Sequence, residues 1–125
     1  MTFERLGGNR EFRKVYRAGK TRGSRFLVMV VLKDCEGPTR YGFSVSKKVG
    51  NSVIRHRVTR LFREAVRALN QDVTEGNRII IIAKPEIKEF DLNEIRREIV
   101  KLFKSHRVWR RQSDDSGQTD ITECR

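Results

Sequence analysis

The chain predicts an α+β fold, a two-layer sandwich in which a small mixed sheet of three or four strands is covered by about three helices. Three observations carry that prediction. Phe26–Leu32 and Ile79–Ile82 are apolar runs of strand length, the pattern of strands buried on both faces. Two longer segments repeat apolar residues at helical spacing. These elements alternate along 125 residues of 37% hydrophobic content, enough for one modest core in a single domain.

The elements follow in order. Asn9 is placed to cap a short helix that carries Phe12, Val15 and Tyr16 on one face and ends at Gly19. Too short to stand alone, that helix must pack on something. Arg25–Lys33 encloses the first apolar run and stops at Asp34 and the Gly37-Pro38 turn. Arg40–Ser46 alternates, with Tyr41, Phe43 and Val45 on one side and Gly42, Ser44 and Ser46 on the other, and reads as the antiparallel hairpin partner of that run. From Ser52 to about Leu69, Ile54, Val58, Leu61, Phe62, Ala65 and Leu69 form one helical stripe, and His56, Arg60, Arg63 and Arg67 form the opposite one. Arg78–Lys84 encloses four isoleucines and ends at Pro85, and Asp91 opens a last helix with Ile95, Ile99, Leu102 and Phe103 inward. The domain is expected over residues 1–112, followed at 113–125 by an acidic tail with no apolar periodicity, expected to be disordered.

Charge narrows the function. Against 28 Lys and Arg stand 16 Asp and Glu, a net of +12, which divides into +15 on residues 1–112 and −3 on the tail. Arg outnumbers Lys 19 to 9, which suits bidentate phosphate contacts better than diffuse attraction. The N-terminal ten residues hold no apolar core of a signal peptide, and the longest apolar run, seven residues, is too short to span a membrane. Cys35 and Cys124 are far apart and form no CxxC pattern, as expected in a reducing cytoplasm. Nucleic acid is the leading partner.

The charge is concentrated. Between Lys47 and Arg67 lie seven Lys or Arg and one acid, Glu64, a net of +6 in 21 residues. A solvated helix face ordinarily mixes both signs at i, i+4 spacing, whereas this one has a single Glu. Lys47 and Lys48 leave a strand, Gly50 permits a sharp turn, and Asn51 or Ser52 caps a helix whose free N–H groups can meet phosphate. Phe12 and Tyr16, one helical turn apart, offer stacking surfaces to unpaired bases at roughly 1 to 3 kcal/mol per base. They equally suit anchoring a short helix to the sheet.

The segment SKKVGNSVIRHRVTRLFRE resembles the signature of the bacterial ribonuclease P protein family: Lys-Lys, one residue, Gly, then Arg-Asn-Arg, Arg and Arg-Glu on one helix. FRKVYRAG is similar to the family's first helix, RYGFSVSKK to its second strand and IIIIAKP to its third, in the right order over residues 5–105. His56 stands in place of the usual Asn, and Thr59 where Lys is common. The resemblance implies a cytoplasmic subunit that joins one large catalytic RNA, requires no protein partner, and assists removal of the 5′ leader from precursor tRNA. The RNA would carry the chemistry with Mg²⁺, the protein alone holding neither a metal nor a catalytic residue. Carried over, Lys47, Lys48, Gly50, Asn51, Arg55, His56, Arg57, Arg60, Arg63 and Arg67 would face the catalytic RNA. Phe12, Tyr16, Met29 and Lys84 would line a cleft for the single-stranded leader, although Met29, in an apolar run, equally reads as core. The family also implies a left-handed crossover between the strands flanking the basic helix, against the usual right-handed rule.

Other functions fit less of the chain. RYGFSVS superficially matches the aromatic strand of an RNA-recognition motif, but the order of elements does not. A basic ribosomal or nucleoid protein would share the charge and lack the signature. An intrinsic nuclease would need a carboxylate cluster or paired histidines, whereas His56 and His106 are isolated, and His106, at a helix end, reads as a cap or a solvated side chain.

Overall fold

The computed structural model describes residues 3–110; the predicted acidic tail at 113–125 lies outside the described residues. In chain order the elements are β1 (Glu4–Arg5), α1 (Asn9–Ala18), β2 (Lys20–Gly23), β3 (Leu27–Leu32), β4 (Arg40–Ser44), α2 (Ser52–Leu69), β5 (Arg78–Ala83) and α3 (Leu92–Ser105). Short 3-10 turns cover Asn70–Asp72 and Pro85–Glu89. The strands form one mixed five-stranded sheet in the order β1-β4-β5-β3-β2, one strand more than the upper expectation.

The expected hairpin between β3 and β4 does not form. β5 lies between them, antiparallel to β3 and parallel to β4. The isoleucines of β5 need cover on both faces, and the central position supplies it. The hairpin partner of β3 is instead β2, whose four residues, Lys-Thr-Arg-Gly, lack the apolar signal by which strands are recognised because they form a sheet edge. A second cap also differs: the residue before α1 is Gly8, at φ 127°, and Asn9 is already helical. No side chain caps α1; Glu11 in its first turn instead reaches back to the approaching chain, accepting from Gly7 N at 2.6 Å.

Two cores flank the sheet. On one face Leu27, Met29, Val31, Tyr41, Ile79 and Ile81 pack against Val58, Phe62 and Val66 of α2 and Ile95, Ile99 and Phe103 of α3. On the other, Val15 of α1 packs against Val30 and Ile80. Asp91 and Glu94 close a reciprocal capping box on α3, as the predicted start at Asp91 requires.

β4, α2 and β5 make a βαβ unit whose hand follows from its hydrogen bonds. Tyr41 faces α2, and its carbonyl accepts from Leu6 N at 2.9 Å on the β1 side, whereas Arg40 N donates to Asn77 O at 3.0 Å on the β5 side. In an upward strand of L-residues, a side chain aimed at the viewer turns its own N–H and C=O to the right. Seen from α2, β1 therefore lies to the right of β4 and β5 to the left. The crossover is left-handed, the exception to the general rule.

Candidate nucleic-acid interface

The basic face is built at the exit of β4. Ser46 O accepts from Val49 N at 3.0 Å, closing a turn that leaves Lys47 and Lys48 exposed and buries Val49. Gly50 is required by proximity: a Cβ there would meet Ile54 side-chain atoms at 2.8 to 2.9 Å, and its φ is not in the left-handed region. Asn51, of the two predicted caps, is the one used, its Oδ1 accepting from Ile54 N at 3.0 Å. The first turn of α2 holds no acidic residue, so its positive end is left open to an anion.

The predicted RNA-facing residues fall into two groups. Lys47, Lys48, His56, Arg60 and Arg67 are exposed, and Val53 beside them is 76% exposed. Arg55, Arg57 and Arg63 are half-buried. Arg55 Nε donates to Gly50 O at 3.3 Å, bracing the turn. Arg57 spends its fork on backbone, Nη1 donating to Lys88 O and Nη2 to Phe90 O, each at 3.0 Å, which ties α2 to the turn at Pro85–Glu89. Arg63 has a buried Nε without a hydrogen-bond partner. Thr59, at the family's Lys position, turns its hydroxyl back to Arg55 O at 2.9 Å, within its own helix.

The residues expected to form the aromatic cleft, Phe12 and Tyr16, lie on α1, which packs on the second face of the sheet. Tyr16 is 46% exposed and Phe12 half-buried. Met29 belongs to the other face: Leu27, Met29 and Val31 point toward α2 and α3, and Met29 is fully buried there, so it is withdrawn from the cleft. The sheet face beneath α1 carries further residues that sequence reasoning missed. Val28 and Ser44 are both paired with Ile82, and all three share the α1 face. Gly42 shares it too, seated under the Phe12 ring so closely that a Cβ would meet Phe12 Cε2 at 2.8 Å. The small-residue side of RYGFSVS was the signal for this face. Lys84, expected at the rim, is half-buried just beyond the end of β5, its Nζ donating to Ser24 O at 2.7 Å.

An ion pair between buried Arg78 and half-buried Glu11 fixes α1 over the sheet. Arg78 donates from Nε to Glu11 Oε2 at 3.1 Å, from Nη1 to Pro38 O and Asn77 O, and from Nη2 to Glu36 O at 2.7 Å. The Gly7 amide and the Arg78 guanidinium hold the Glu11 carboxyl below its ordinary range, although burial pulls the other way.

His106 is not solvated. It caps α3 and is buried, with Nε2 3.1 Å from Met29 O, and burial pushes its pKa down to about 4. Between that value and the ordinary 6.5 the unfolded chain binds a proton that the folded chain excludes. Stability is therefore expected to fall on acidification through this window, by about 2 kcal/mol between pH 7 and pH 5. Urea unfolding of the parent and of His106→Gln measures it; an equal loss in both would place the titration elsewhere. Among the described residues no three His, Cys, Asp or Glu side chains converge as a metal-holding group, and no helix is long and apolar enough to cross a membrane.

Comparison with known proteins agrees with this architecture. The family model described as Ribonuclease P matches residues 1–107. The ribonuclease P protein component of Caldanaerobacter subterraneus is 40% identical over 100 residues, covering 80% of this chain and 86% of that one. That of Listeria monocytogenes is 36% identical over 114 residues, covering 90% and 95%. Among solved structures, the Staphylococcus aureus RNase P protein superposes with a TM-score of 0.75 at 28% identity, covering 84% of this chain and 96% of that one. The Thermotoga maritima RNase P protein gives 0.73 at 26% identity, covering 81% and 96%. With a basic strand-turn-helix, a left-handed crossover and a family match along nearly the whole described fold, the chain belongs to the ribonuclease P protein family.

Proposed function

We propose that this protein binds the catalytic ribonuclease P RNA through the exposed cations of the β4–α2 face and the single-stranded 5′ leader of precursor tRNA through the cleft beside α1. The observation that carries the reading is the exposed set of Lys47, Lys48, Arg60 and Arg67, with His56 among them and Glu64 the single acid on α2, around an acid-free helix start. Phosphate contacts position such a protein on RNA, and a helix N-terminus supplies further N–H donors. The cleft adds what a set of differing leaders needs, a stacking surface that tolerates sequence.

The hydrolysis is assigned to the RNA. Mg²⁺ supplies Lewis-acid and nucleophile-activating chemistry when bound. The described side chains do not form a cage for it, so no step is assigned to a metal held by this chain. The protein's own part is to neutralise phosphate and to align the leader. Cytoplasmic action without a protein partner completes the proposal.

Added to a bacterial ribonuclease P RNA at low Mg²⁺, the protein is expected to restore leader removal, and to cleave nothing without RNA. Failure to restore it would overturn the proposal. Tyr16→Ala is expected to weaken binding of leader-bearing precursor by about tenfold, one stacked base, while leaving mature tRNA unaffected. Equal loss for both substrates would move Tyr16 out of the leader site.

A further inference from the structure

At the β2 edge of the sheet a cleft of about 780 Å³ opens between the start of β2, the exit of β3 and the last turn of α3. It shares no residue with the α2 face or with the predicted leader set. Among the described residues its charged lining is one-sided: Lys20, Arg22, Lys33 and Arg107 with one carboxylate, Asp34. Lys20 and Arg22 pair with Val31 and Met29, so both leave the sheet on the face that α3 covers. The third and fourth cations arrive from separate elements, Lys33 from the end of β3 and Arg107 from beyond α3.

These cations are assembled at mutual cost. Burial, and then the charges of Arg107, Lys20 and Arg22, hold the Lys33 ammonium below its ordinary range, with Asp34 opposing. His106, in the wall of the same cleft, is disfavoured as a cation by Arg22, Lys33 and Lys20 as well as by burial. Charge on an edge strand protects it from pairing with another chain, and that accounts for Lys20 and Arg22. It does not account for two further cations converging on one concave space. A cleft lined by one sign of charge concentrates counter-ions, and an anion bound there would relieve the repulsion.

We propose that this cleft is a second RNA contact, taking phosphodiester groups of the ribonuclease P RNA at a place separate from α2. It rests on the RNA-binding reading above. The test is the double variant K20Q/R22Q, with binding to a bacterial ribonuclease P RNA transcript measured across salt concentrations. Two lost phosphate contacts are expected to lower the slope of log affinity against log salt by about 1.8, and affinity by about tenfold. The charge-preserving K20R/R22K is expected to bind as the parent does, and unchanged thermal melting of both variants confirms that β2 is intact.

Arg60→Gln on α2 runs in parallel. Weakening by Arg60→Gln with none by K20Q/R22Q would overturn the second contact and leave the α2 reading standing. Weakening by neither would overturn both. Inorganic phosphate provides the remaining arm: if it shifts the His106 ring resonances while K20Q/R22Q leaves RNA binding unchanged, the cleft is a small-anion site and the proposal is overturned.

Discussion

Arg78→Ala is expected to cost about 3 kcal/mol of unfolding free energy, the low end of the scale for breaking a buried ion pair from one side, because Glu11 is only half-buried. At roughly 4 to 8 °C per kcal/mol for a domain of this size, the melting temperature should fall by more than ~10 °C. The reason is the number of groups left behind. Arg78 is 8% exposed and satisfies the Glu11 carboxylate and three carbonyls from four nitrogen-to-oxygen bonds. Its loss takes the buried donor from the Pro38 and Glu36 carbonyls and leaves Glu11 only the Gly7 amide and the more distant Arg40, and Asn77 O only the Arg40 amide. Glu11→Ala should cost less, and the double variant less than the sum, because each single change strands the other partner. The pair also has a pH signature. Glu11 is held below its ordinary 4.5, so its contribution is complete above that value and is lost as the pH falls through the depressed folded value. A cost below about 1 kcal/mol for Arg78→Ala would show that α1 is held by Val15 and Phe12 alone.

That pair also marks the limit of what the residues reveal before folding. Local signals were legible: α2 spans Ser52–Leu69 as its apolar stripe requires, and Asp91 caps α3. The basic turn was legible because Lys47, Lys48, Gly50 and Asn51 fall within five consecutive residues. Pairing was not. Nothing local says that β4 lies beside a strand separated from it by an entire helix, since a near neighbour with an alternating pattern satisfies the same periodicity. Arg78 and Glu11 are 67 positions apart, and an arginine opening a run of isoleucines carries no mark of its partner. Met29 illustrates the same gap at the site. In a run apolar at every position, periodicity cannot say which face a residue takes, and only pairing with β5 settles that Val28 looks toward α1 and Met29 away from it.

Arg57 and Arg60 carry the same charge on the same helix and are expected to fail differently. Arg60 is exposed, so Arg60→Ala should leave stability within about 0.5 kcal/mol. It should lower the salt slope of RNA binding by about 0.9 and affinity by about threefold, one phosphate contact. Arg60→Lys should recover most of that loss, because a point charge suffices for a phosphate. Arg57→Ala should instead cost about 2 kcal/mol of stability, since it removes two charged hydrogen bonds to the Lys88 and Phe90 carbonyls. Lysine should not rescue it, lacking the planar fork that reaches both carbonyls at once. The consequence extends beyond α2. The turn that Arg57 holds follows directly on Lys84, a residue of the proposed leader site, so loosening it should weaken binding of leader-bearing precursor even where the salt slope for the catalytic RNA is unchanged. Chemical denaturation and binding titrations on the four single variants separate the two roles. If Arg57→Ala flattens the salt slope as Arg60→Ala does and leaves stability intact, Arg57 is a phosphate contact and its clamp on the turn is incidental.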